Sequence, residues 1–114
     1  GGNAMLDLRL YMAQRLSALV MGPLVLGHIA VMIYAIQGGL STAEILGRTQ
    51  GSLLWFFFYG TFVVAVSVHA AIGLRVIAHE WLRLRGVALV VLTWGIFGAL
   101  LALGLSAVFA VTLP

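Results

Sequence analysis

Few side chains in this sequence could do chemistry, and helical spacing would gather most of them. His69 lies deep in a long apolar run, between Val68 and Ala70. A neutral imidazole has one donor and one acceptor nitrogen, so in apolar surroundings it needs a hydrogen bond, a place in a proton relay, or a metal ion. Gly73 follows one helical turn later on the same face, leaving room for a flat ligand beside the ring. A relay would want carboxylates in the same run, and that run has none. A hydrogen bond to a neighbouring helix is the plain structural alternative. Gln14, Arg15 and Ser17 form a second polar group; Arg75 and His79, one turn apart and followed by Glu80, form a third. Arginines at helix ends commonly snorkel to lipid headgroups, the reading that suits Arg83 and Arg85. Arg15 and Arg75 instead border or interrupt apolar sequence, and two arginines at similar depth could hold carboxylates bidentately. His28 shares a helical stripe with Ser17, Met21 and Leu24. With Arg15 and Arg75 taken as level, it lies roughly 10 Å higher than His69 at 1.5 Å per residue. It either serves a second, outer site or hydrogen-bonds a carbonyl.

The elements that must position these groups follow from composition. The chain has 114 residues, 63% hydrophobic and 8% charged, with a mean hydropathy of +1.17. Soluble domains carry about 25% charged residues, so an ordinary water-soluble enzyme is excluded. The six basic residues are all arginines, spread along the chain, and the net charge is +3; this is no phosphate-neutralising patch, and nucleic acid is not a partner. No cysteine is present, which excludes disulfides and thiolate sites. Three apolar stretches, about 16–36, 53–77 and 87–113, each reach the roughly 20 residues a membrane span needs. Their backbones must be satisfied internally, which makes them helices. The expectation is an all-α integral membrane bundle of three transmembrane helices, up-down-up, formed by a single domain over residues 5–114. The helices are placed at about 11–37, 52–80 and 86–112. Residues 37–51 are expected as a Gly/Ser/Thr-containing loop, 81–86 as a tight basic turn, and 1–4 as an unstructured lead or expression remnant. Arg9, Arg15, Arg75, Arg83 and Arg85 fall on one side and Arg48 on the other. The positive-inside rule then places the N-terminus in the cytoplasm, with Tyr11 and Trp81 at the inner boundary and Tyr34 and Trp55 at the outer. Gly95, Gly98, Ala102 and Gly104 give the third helix a run of small residues suited to close helix packing.

Two runs carry a family resemblance. Gln14-Arg15-Leu16-Ser17-Ala18 resembles the His-Arg-x-Ser-Gly signature of succinate dehydrogenase and fumarate reductase cytochrome b membrane anchors. His69-Ala-Ala-Ile-Gly73-Leu-Arg75, followed by Glu80, resembles their His-x-x-x-Gly-x-Arg-His-x-x-x-Asp signature. The departures are Gln14 for histidine, Ala18 for glycine, Val76 for histidine and Glu80 for aspartate. The resemblance implies an anchor on the bacterial inner membrane that binds haem b and helps form a ubiquinone or menaquinone site. It would pass electrons between an iron–sulfur subunit and quinone. It also implies a flavoprotein partner that performs the substrate chemistry, and a second anchor subunit; the chain alone would catalyse nothing. By position His69 matches the axial ligand of the haem iron. Arg15, Ser17 and Tyr11 match the quinone vicinity; Arg75, with His79 nearby, matches the propionate or quinone vicinity. One haem is expected, and His28 keeps a second one open. A haem-free structural anchor or small helical assembly protein is the competing reading.

Overall fold

The structure, a computed structural model, describes residues 2–114, and they are helical nearly throughout. Four helices follow one another: α1 Gly2–Gly38, α2 Thr42–Thr49, α3 Leu53–Trp81 and α4 Val87–Thr112. α1, α3 and α4 are each long and apolar enough to cross a membrane. They stand antiparallel in a rod 52 Å long and about 24 Å across. α3 is the central helix, packing against α1 on one side and α4 on the other. Its packing faces are built from small residues, with Ala65, Ser67, Ala71 and Ala78 buried beside Ile72. Small side chains let backbones come close, which is how helices gain van der Waals contact when lipid offers no hydrophobic drive. A close approach falls at Gly104 of α4, where an added Cβ would overlap the side chain of Val63. Gly95 and Gly98 meet nothing and face out of the bundle. Hydroxyls inside the bundle are satisfied locally: Ser67 donates to the Val63 carbonyl, Thr93 to Leu89 and Thr112 to Val108.

Two expectations about the ends need correction. Of the lead placed at residues 1–4, Gly1 lies outside the described residues, and Gly2–Ala4 belong to α1. The first helix therefore starts well before residue 11, because Leu6, Asp7, Leu10, Tyr11 and Gln14 form one helical side that faces α3 and the turn before α4. The loop expected at 37–51 contains α2. Ser41 caps it, accepting from the Glu44 amide at 3.2 Å and donating to the Glu44 carboxylate at 2.6 Å. Ser-x-x-Glu is the sequence signature of such a start, and it was legible in Ser41-Thr-Ala-Glu44. α2 is fastened to the end of α4: the Thr49 hydroxyl donates to the Val111 carbonyl at 2.6 Å, and the Gly51 amide to Thr112 at 2.7 Å. The α3–α4 turn is as tight as expected. Arg83 takes a left-handed conformation (φ 56°) and Gly86 follows at φ 67°, while the Leu84 amide folds back on the Ala78 carbonyl.

Aromatic residues collect towards the α2 end. Trp55 stacks on Tyr59, Phe56 stacks on Phe109 across the helix pair, and Arg48 of α2 lies over the Tyr34 ring. Tyr11 and Trp81 lie at the opposite end, exposed. Aromatic residues thus stand towards both ends of the bundle, the distribution that spanning proteins favour at membrane interfaces.

Candidate functional site

The antiparallel pairing of α1 with α3 decides which polar groups meet. Ser17 touches His69, Gln14 lies beside Gly73, and His28 packs against Tyr59 and Phe62. This register corrects the assumption that Arg15 and Arg75 are level: Arg15 falls at the level of Ile72, and Arg75 at the level of Tyr11 and Met12, roughly 5 Å apart along the axis. It also separates the two membrane histidines further than expected, since Tyr59 and His69 are ten residues apart on one helix, or roughly 15 Å.

His69 is half-buried between α1 and α3. The Ser17 hydroxyl donates to the Gln14 carbonyl at 3.0 Å, so its oxygen remains free to accept. The His69 Nδ1 lies 3.4 Å from that oxygen, at the long end of hydrogen-bond distance. With the serine proton already committed, the consistent arrangement puts the imidazole proton on Nδ1, donated to Ser17. Nε2 then keeps its lone pair, the state in which an imidazole binds metal. The room left by Gly73 faces α1: an added Cβ would lie 3.5 Å from the Gln14 Nε2. No group of three metal-ligating side chains occurs among the described residues, so His69 would contribute one ligand and need the rest from elsewhere.

One turn below His69, α1, α3 and the start of α4 enclose a cavity of about 600 Å³, within the usual range for small-molecule sites. Tyr11, Gln14, Arg75, His79 and Glu80 line it, together with Asp7 and Arg85. His79 Nδ1 donates to the Leu84 carbonyl at 2.9 Å, which fixes its tautomer when neutral and leaves Nε2 as an acceptor. The Gln14 Oε1 is buried without any hydrogen-bond partner. Of the residues expected around a quinone, Tyr11 lines this cavity together with Arg75 and His79. Ser17 does not; it is buried against His69 and borders an apolar groove between α1 and α3. Arg15 does not either; it is exposed, its guanidinium over the Tyr11 ring at 5.5 Å. Asp7 was not singled out from the sequence, and Arg85, read there as reaching for lipid headgroups, instead lines the cavity. Extending the first helix by one turn would have found Asp7, which precedes Tyr11 by four residues.

At the other end a smaller cavity, about 330 Å³, is lined by His28, Thr49, Tyr59, Phe62 and residues of α4. The His28 ring meets Phe62 and Tyr59 edge-on, at centroid distances of 5.3 and 6.5 Å. It is distant from His69, and the two cannot share one ligand atom.

Three apolar spans, with a polar cavity confined to one end and an imidazole one turn inside it, define a multi-pass membrane protein of the anchor type. The pattern of the family described as succinate dehydrogenase/fumarate reductase transmembrane subunit matches residues 2–85, and the chain belongs to that family. The matched stretch covers α1 to α3 and the turn beyond, including both signature runs. No curated protein and no solved structure shows significant similarity to the chain.

Proposed function

We propose that this membrane anchor binds haem b through His69 and contributes the Tyr11–Arg75 cavity to a quinone site. In this reading electrons pass between the iron–sulfur subunit and ubiquinone or menaquinone. The flavoprotein carries out the succinate or fumarate chemistry. The N-terminus and the α3–α4 turn face the cytoplasm of a bacterial inner membrane, in keeping with five of the six arginines at that end.

The observation that carries this reading is the Ser17–His69 pair. A serine whose proton is engaged elsewhere holds Nδ1 of a membrane imidazole and leaves Nε2 unencumbered. Partners of this kind orient metal-bound histidines and fix their tautomer. Haem iron, when bound, supplies one-electron transfer between the iron–sulfur subunit and the quinone. A further haem-holding residue would come from a second anchor subunit, since His28, on α1, lies roughly 15 Å from His69 along the bundle axis. Arg75 and His79, on the turn towards the aqueous face, suit propionates or a quinone oxygen. Tyr11 lines the cavity as a phenolic donor, with Arg15 stacked on its outer face.

The test is a reduced-minus-oxidised spectrum of the intact complex purified from membranes. The wild-type complex should show Soret and α bands of a b-type haem, and His69→Ala should lose them while the complex still assembles. Full bands in His69→Ala would overturn the assignment. A haem-free structural anchor is the second reading; what favours it is that His69 already has an intramolecular partner. An assembled wild-type complex without haem bands would establish it.

A further inference from the structure

Gln14 was placed near the site by sequence but given no role. It lines the cavity at the level of Gly73, and its Oε1 is the one buried side-chain oxygen or nitrogen without a partner among the described residues. A buried acceptor that finds no donor within the protein is poised for one on a ligand. The neighbouring groups have fixed polarity. Arg75 can only donate, an ionised Glu80 only accepts, and a neutral His79 with Nδ1–H on the Leu84 carbonyl presents an accepting Nε2. Gln14 offers both polarities from one planar group, and a half-turn of its amide exchanges them. Even a Cβ added at Gly73 would meet the Gln14 Nε2 only at 3.5 Å, an ordinary contact, so that side of the amide is not wedged.

A quinone head group demands such a partner. Its oxidised form presents carbonyl oxygens that accept hydrogen bonds; its reduced form presents hydroxyls that donate. The geometry points to Gln14 as the contact that holds both redox forms in this cavity. Nε2 donates to a carbonyl of the quinone, and after amide rotation Oε1 accepts from a hydroxyl of the quinol. This rests on the reading of the cavity as a quinone site, and it makes Gln14 a specificity-determining residue.

The experiment measures binding of a short-chain, water-soluble quinone, and separately of its quinol under anaerobic reducing conditions, to the intact detergent-purified complex. The wild type should bind both. Gln14→Leu, which keeps bulk and removes both polarities, should weaken both by about tenfold, the loss of a hydrogen bond worth about 1.4 kcal/mol. Gln14→Glu, an acceptor when ionised, should weaken quinone by about tenfold and spare quinol to within about threefold. Gln14→His, which can donate from one nitrogen and accept at the other, should retain both and guards against a leucine variant that fails to assemble. If the wild type binds both forms and Gln14→Leu binds either as tightly, or if an assembled Gln14→His loses either, the inference is overturned. If the wild type binds neither, the quinone reading beneath it fails and takes the inference with it.

Discussion

The two ends of the α1–α3 pair hold histidines in opposite ways. Near the N-terminal end, His69 and His79 each face an oxygen at Nδ1, Ser17 in one case and the Leu84 carbonyl in the other. That leaves Nε2 of each free; His79 lines a cavity edged with arginine, tyrosine, glutamine and carboxylates, and His69 lies one turn further in. Near the α2 end, His28 is held by ring edges, between Tyr59 and Phe62, in a smaller cavity walled mainly by apolar residues of α3 and α4. An oxygen at Nδ1 assigns the other nitrogen a task; edge contacts use the ring as an aromatic body. The lesson is that depth in the membrane alone does not mark a ligand. What sets the proposed haem histidine apart from His28 is the hydrogen bond on the opposite side of its ring.

That comparison can be broken from either end. The largest expected effect is the complete loss of b-type absorbance in His69→Ala. Ser17→Ala should follow: without the oxygen that orients Nδ1, haem affinity should fall about 10- to 100-fold, read as faster haem transfer to an apo-acceptor. A smaller change confined to resistance to unfolding would mean that the serine only packs. At the α3–α4 contact, Gly104→Ala forces a methyl group into Val63 and should cost about 1–3 kcal/mol of stability, measured by unfolding in mixed micelles. Thr49→Val removes the hydroxyl that ties α2 to the Val111 carbonyl and should cost about 1 kcal/mol, seen as a lower melting temperature with the haem spectrum intact. His28→Ala should be the least visible, leaving the bands and the haem count unchanged. A lost or shifted band in His28→Ala would show that the two ends are less different than their hydrogen bonding indicates.

Several parts of this arrangement were legible in the residues. The three spans were, because an unbroken apolar run of this length has no other stable form in lipid. The tight turn at 81–86 and the polar grouping of Arg75 with His79 were also legible, since both depend only on neighbours along one helix. α2 was missed although Ser41 and Glu44 announce it; a Gly/Ser/Thr-rich stretch reads as a loop when its capping pair is overlooked. Asp7 was missed because the first helix was begun too late.

By itself the sequence determined a three-span membrane chain, its family, and His69 as the most costly polar group to leave unpartnered. The spans and His69 follow from local quantities: hydropathy over a span, charge at its ends, and periodicity along a single helix; the family follows from the resemblance of two short runs, 14–18 and 69–80, to its signatures. The tertiary structure alone decided that Ser17 faces His69, that Arg75 falls at the level of Tyr11 rather than of Arg15, that His28 is remote, and that Gln14 keeps an unanswered oxygen. Those facts depend on the axial register of two packed helices, fixed by how their small residues interlock. A slip of three residues between them changes every cross-helix partner while leaving each helix's own pattern untouched.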